Sequence, residues 1–272
     1  MGTFLDEVKS RRSVRTFDGR PVAEDLLQQL KDCAAKAVNP YHIPVTFDFF
    51  TAKEHGLSSP VLSGAETYVT AKVSVQKNAD VAYGYSFQKL LMQAHHLGLG
   101  TVWIGGTMPR EKFEKAAGVT DGEVMPCVSP LGYEAKMSLK EIMMRKGVKA
   151  DTRYDFEQLF FLEKWNAPLT REAALSLGLE EALEAVRMAP SAVNKQPWRV
   201  IVSGKNIHFY EKKDRGYDNG TYDLQKVDVG IALFNFEETL KSASIPTTFT
   251  INDPAIPDLP EHTEYVATYT LN

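Results

Sequence analysis

The chain has 272 residues, 43% hydrophobic and 24% charged, the balance of a folded protein rather than a disordered or fibrous one. With 31 Lys and Arg against 35 Asp and Glu its net charge is -4, so no general positive field attracts a polyanion, nucleic acid is excluded as a partner, and local basic clusters read as small-anion sites. No stretch approaches the roughly 18 apolar residues that span a bilayer, residues 1–15 lack the apolar run of a secretory signal, and Cys33 and Cys127 form neither a disulfide framework nor a metal-ligand spacing; a cytoplasmic protein with two buried thiols is expected.

In chain order, Leu26, Leu27, Leu30, Ala34 and Ala37 recur at helical spacing after Pro21 and predict an amphipathic helix over 22–38. Strands are expected over 45–52 and 67–75. A helix then runs over 83–97, where Phe87, Leu90, Leu91 and Ala94 form a broad apolar stripe that closes at Gly98. A short buried strand at 101–104, a helix at 110–117 and a strand at 124–133 follow. The stretch 136–155 is charged and weakly periodic, and reads as a connecting arm.

After Pro168 the order begins again. A helix over 170–188 carries Leu179, Ala182, Leu183 and Val186 on one face and stops at Ala189-Pro190, and 198–202 with 206–210 read as a hairpin across Ser203-Gly204-Lys205. Asn219-Gly220-Thr221 fits a glycosylation acceptor but reads better as a turn. An apolar helix over 228–244 and a strand over 265–271 complete the chain. Ala37-Val38-Asn39 with Pro44 parallels Ala192-Val193-Asn194 with Pro197, and the helix at Gly84 slides onto the one at Gly230 without a gap. The repeated order suggests an internal duplication whose halves pack as a pseudo-dimer.

Three segments carry chemistry. Arg11-Arg12-Ser13-Val14-Arg15 offers guanidinium forks and a hydroxyl suited to phosphate, or else a solvated basic surface. Met188-Ala189-Pro190-Ser191-Ala192-Val193-Asn194-Lys195-Gln196-Pro197-Trp198 suits a rigid polar loop against a flat ligand, or a plain turn with Trp198 in the core. Gly98-Leu99-Gly100-Thr101-Val102-Trp103-Ile104-Gly105-Gly106 fails as a dinucleotide fingerprint, because Trp103 stands at the third glycine position, and leaves a glycine-lined strand end open to close approach. Ser74-Val75-Gln76-Lys77 lacks the companion motifs of a serine-lysine hydrolase, and His95-His96 diverge by about 100° on a helix, unfit to share a metal.

These segments, with Thr16-Phe17 and Leu131-Gly132-Tyr133, resemble the nitroreductase family of flavin enzymes. The Pro-Ser loop is displaced here into the second half, and the second half has no Arg-Arg-Ser. The resemblance therefore is to a single-chain, tandem-duplicated branch: an α+β, nitroreductase-like fold repeated in halves 1–165 and 166–272, with one FMN between them. It implies that Arg11, Arg12 and Ser13 hold the FMN phosphate and ribityl chain and that Arg15 lies near the pyrimidine edge of the ring. Pro190, Ser191 and Asn194 would flank the ring, and Trp103, Ile104, Gly105 and Gly106 would approach it. Arg153 would be the second phosphate clamp, with Lys149 as the alternative. It further implies hydride transfer from NADH or NADPH through FMN to a small electron-poor acceptor such as a nitroaromatic or quinone, with no catalytic side chain and no metal. The competing reading is a flavin-binding or regulatory module without turnover. A monomer or a homodimer is compatible with the fusion.

Overall fold

The computed structural model describes residues 2–272. Its first part contains α1 (Phe4–Ser10), α2 (Glu24–Ala35), β1 (Thr46–Thr51), α3 (Ala52–His55), β2 (Thr67–Ser74), α4 (Ala79–His96), β3 (Gly100–Thr101), α5 (Arg110–Ala116), β4 (Glu123–Val124) and β5 (Val128–Gly132). The arm holds α6 (Leu139–Gly147) and α7 (Phe156–Leu159). Then come β6 (Phe160–Leu162), α8 (Arg171–Ser176), α9 (Glu180–Arg187), β7 (Trp198–Ser203), β8 (Asn206–Lys212), α10 (Leu224–Ser242), β9 (Thr247–Thr250) and β10 (Thr263–Leu271). It is an α+β fold with two sheets.

One sheet runs β1-β2-β5-β3, with β4 on the end of β2; the other runs β6-β7-β8-β10-β9. Taken as β1-β2-β5-β3 and β7-β8-β10-β9, the two follow the same antiparallel path, and each places its long helix, α4 or α10, after the second strand. The remaining strand of the second sheet is β6, which lies parallel to β7. Phe160–Leu162 therefore reaches from the tail of the first part into the second sheet.

The halves meet where α4 crosses α10. A Cβ on Gly84 would stand 2.0 Å from the Val227 carbonyl oxygen, and one on Gly230 would stand 2.1 Å from that of Val81. Each glycine thus meets the carbonyl three residues before the other, a reciprocal contact that only hydrogen side chains permit. The apolar surroundings are shared: Val81, Tyr85 and Met92 of α4 lie in the core of the second half, and Val227 of α10 in that of the first. Both helices are therefore apolar around nearly their whole circumference, as central buried helices are. Gln88 donates to Asn235 at 3.1 Å across the crossing, which satisfies two buried amides.

Several expected elements differ. The helix over 170–188 is two, because Gly178 adopts φ +71° between α8 and α9. The strand over 101–104 shortens to β3 with a single bridge from Ile104 to Val128, and that over 124–133 divides into β4 and β5 around Pro126, which has no N–H for a ladder. The arm is not irregular: Ser138 caps α6 by accepting from the Glu141 N–H at 3.2 Å, and Glu141 turns inward, 2% exposed. α1, β6 and β9 were not anticipated; each is short, and its pattern is set by tertiary partners.

Replacing Gly84 or Gly230 by Ala will lower stability by about 1–3 kcal/mol or more through overpacking, whereas Gly147→Ala, with nothing within 4 Å, will be neutral or stabilising; thermal denaturation of the three variants checks this. Burial also pushes the Glu211 carboxyl up to about 8, with Asp223 adding to the effect, and both its oxygens lack a partner. The folded state then holds a proton that the unfolded chain releases near pH 4.5, so stability falls as pH rises from about 5 to 8. Glu211→Gln will flatten this slope, with the larger gain in Tm at pH 8 than at pH 5.

Candidate functional site

The segment after α1 is extended and docks beside β3. Ser13 bridges Thr101 in parallel, the Val14 N–H donates to the Thr101 carbonyl at 2.9 Å, and the missing Cβ of Gly100 leaves room for Val14. Alternation along an extended chain then separates Arg11, Ser13 and Arg15 from Arg12 and Thr16. Arg12 and Thr16 meet Glu141 on α6, at 3.0 and 2.8 Å, and Arg12 also pairs with Glu134. Arg12 is therefore taken up by the carboxylates that seat the arm.

The arm so seated carries Arg145 and Arg153 to Arg11. Burial first, then the charges of Arg153 and Arg145, hold the Arg11 guanidinium down to about 10. Burial and then Arg187 likewise lower Arg153. Arg15 is lowered by burial, and also by Arg145, with Glu141 opposing. Arg145 pairs with Asp151, but Nη1 of Arg11 and Nε of Arg153 are buried without any acceptor. Converging guanidiniums with orphaned donors are the polar complement of a phosphate.

The 189–197 loop completes the cluster. Asn194 donates to the carbonyls of Lys149 and Thr152 at 2.8 and 3.0 Å, and its Oδ1 accepts from Arg153 at 3.3 Å. Gln196 accepts from the Tyr154 N–H at 2.9 Å and donates its own main-chain N–H to the Ser191 hydroxyl at 2.9 Å. Trp198, fully buried, belongs to the core. Lys149 contributes its carbonyl, while its side chain is exposed.

On the third side, Ile104 exchanges two 2.9 Å main-chain bonds with Val128. Gly105 accepts from Arg110 at 2.8 Å, and a Cβ there would stand 3.2 Å from Cys127 Sγ and 3.3 Å from Leu224. Gly106 has nothing within 4 Å of where a Cβ would be. Trp103, half-buried, donates its indole N–H to Gln88 at 3.3 Å and packs edge-on against Phe87 at 4.9 Å. Leu224 and Asp228, one turn apart on α10, tie the two loops together: Leu224 lies against Gly105, and Asp228 accepts the Ala192 N–H at 3.0 Å.

Of the expected residues, Arg11 is linked to Arg153 by charge and Arg153 to Asn194 by a direct bond, Arg15 feels the same Arg145, Ser13 lies on the extended segment of Arg11 and Arg15, Pro190 and Ser191 belong to the Asn194 loop, and Gly105 is tied to that loop through Leu224 and Asp228 on α10. Sequence reasoning missed Arg145 and Asp228. The signals that could have found them are Ser138 with Glu141 three residues on, a helix start that makes Arg145 a last-turn residue, and the single carboxylate in Val227-Asp228-Val229-Gly230-Ile231. Among the described residues no cluster of three potential metal ligands occurs.

An unfilled guanidinium cluster destabilises the fold, and an anion relieves that repulsion. Sulfate or phosphate at constant ionic strength will therefore raise the Tm of the apoprotein above that in chloride, and Arg11→Met with Arg145→Met will abolish the difference in the same scanning experiment.

The family described as "Putative TM nitroreductase" matches residues 3–240. A crystal structure of a putative nitroreductase from Thermotoga maritima superposes with a TM-score of 0.64 at 18% identity, over 99% of this chain and 93% of that one. An FMN-dependent nitroreductase from Clostridium difficile R20291 gives a TM-score of 0.43 at 18% identity, over 48% of this chain and 88% of that one. A curated protein named "Putative NADH dehydrogenase/NAD(P)H nitroreductase", from Methanothermobacter thermautotrophicus, is 27% identical over 150 residues, which is 48% of this chain and 78% of that protein.

Proposed function

The chain belongs to the nitroreductase family, and from that premise we propose that it is an FMN-dependent oxidoreductase that uses NADH or NADPH to reduce small electron-poor acceptors such as nitroaromatics or quinones. The observation that carries this reading is the buried, partnerless Nη1 of Arg11 within a cluster of guanidiniums. A phosphomonoester supplies the acceptors that these donors lack, so the residues present fit FMN. The name of the curated relative supports the nicotinamide donor.

Arg11, Arg145 and Arg153 would hold the phosphate, with Ser13 offering a hydroxyl beside them. Arg15 would place positive charge toward the pyrimidine edge of the ring, where it favours added negative charge. Pro190, Ser191 and Asn194 would bound one side, and the open backbone at Gly106 the other. FMN, when bound, supplies the two-electron chemistry, so the side chains bind, orient and shield. Cys127, buried with its thiol pushed above the ordinary range by burial and then by Asp228, stays protonated and unreactive at neutral pH.

The same reading treats residues 1–165 and 166–272 as halves of a duplicated fold with a single composite site. Their common strand path and the reciprocal glycine contact support it. A cytoplasmic location accords with this chemistry, and among the described residues no helix is long and apolar enough to cross a membrane.

Anaerobic visible spectroscopy tests the function. The FMN-loaded protein will show flavin bands that bleach on addition of NADH or NADPH and return on addition of a nitroaromatic or quinone. Arg11→Ala with Ser13→Ala will lower FMN occupancy by tenfold or more, an effect of at least about 1.4 kcal/mol. Bound flavin that no nicotinamide reduces would instead indicate a binding module.

A further inference from the structure

Residues 193–196 carry an unusual backbone. Val193 has φ 50°, Asn194 φ 57° and Gln196 φ 50°, left-handed conformations that cost side-chain-bearing residues energy, a β-branched valine most of all. Val193 is 61% exposed, so no packing of its own side chain accounts for the geometry. Such strain persists only where surrounding contacts impose it. Most of those contacts come from the arm or from within the loop. The exception comes from α10: Asp228, 4% exposed, accepts the Ala192 N–H with both carboxyl oxygens, at 3.1 and 3.0 Å.

The other half shows what happens without this contact. The reciprocal glycine crossing pairs Gly84 with Gly230, and two residues before each stand Ala82 and Asp228. Beside α4, then, no carboxyl reaches toward the corresponding Ala37-Val38-Asn39 loop. There Asn39 is buried and turned inward, donating to the Ile43 carbonyl at 2.7 Å and to Ser86 at 3.1 Å. It is turned onto its own loop and α4, whereas Asn194 bonds Arg153 of the arginine cluster.

We infer that Asp228 is a positioning residue: by holding the Ala192 N–H it fixes the strained 190–196 loop in the shape that presents Ser191 and Asn194 to the cofactor, and it does so in one half only. Burial, reinforced by Asp223 and Glu211, raises the Asp228 carboxyl well above the ordinary range. An asparagine amide closely matches the carboxyl in shape, and its oxygen also accepts an N–H. This inference rests on the flavin reading for its ligand, but its structural content is separable from it.

The test compares the wild type with Asp228→Asn and Asp228→Ala by hydrogen exchange of the apoproteins and by FMN titration. Asp228→Ala will accelerate exchange across 190–196 at least tenfold, leave β7 and α4 unchanged, and weaken FMN binding about tenfold or more, as loss of a buried acceptor does. Asp228→Asn will restore both properties to within about threefold of wild type. Wild-type exchange and affinity in Asp228→Ala would overturn the inference. If that variant does not fold, Asp228→Asn decides alone, since a loosened loop in it would overturn the inference equally. A wild type that binds no FMN would defeat the flavin reading, while the apoprotein exchange would still judge Asp228.

Discussion

The close crossing of α4 and α10 is the constraint on which the rest depends. Side chains at positions 84 and 230 would force the helix axes apart, and the loops tied to them would separate. Leu224 and Asp228, on the first turns of α10, hold the Gly105 and Ala192 segments from one face. Any displacement of α10 relative to α4 therefore changes the space between those two segments directly. The first half's tail, crossing as β6 onto β7, locks the same arrangement from outside. These two segments adjoin different sheets, so their spacing depends on this crossing.

Electrostatics sets the second constraint. The chain is acidic overall, yet it gathers Arg11, Arg15, Arg145 and Arg153 around buried donors that nothing in the protein satisfies. Like charges at short range oppose folding, and burial withdraws the water that would screen them. Of the nearby carboxylates, Asp151 pairs with Arg145, while Glu141 and Glu134 hold Arg12 and so seat α6. The arrangement separates the arginine that anchors the arm from the arginines that the arm brings together. Such incompletely compensated cation density is a feature of anion sites rather than of structural cores.

Much of this was legible in the sequence. Helical periodicity located α2, α4 and α10, alternation and turn residues located the β7-β8 hairpin, and the glycine alignment anticipated the helix pair. Arg11, Arg153 and Asn194 were chosen on motif resemblance, and the fold joins them by charge or direct hydrogen bonds. Other features were not legible. Whether Arg12 or Arg11 faces the site depends on which side of the extended segment meets α6, and the arm's charge hid the helix. Trp103 lies in a glycine-rich motif, but its orientation follows from Gln88 and Phe87, fifteen or so residues earlier. The role of Asp228 was not legible, since its partner is a loop N–H distant in sequence.

We propose that each chain holds one phosphate-bearing flavin between its halves, gripped chiefly by its phosphate. Calorimetric titration of the apoprotein with FMN and, separately, with riboflavin tests it most directly. The expected result is one FMN per chain, with riboflavin binding weaker by at least tenfold, about 1.4 kcal/mol. Two FMN per chain, or equal affinity for riboflavin, would contradict it.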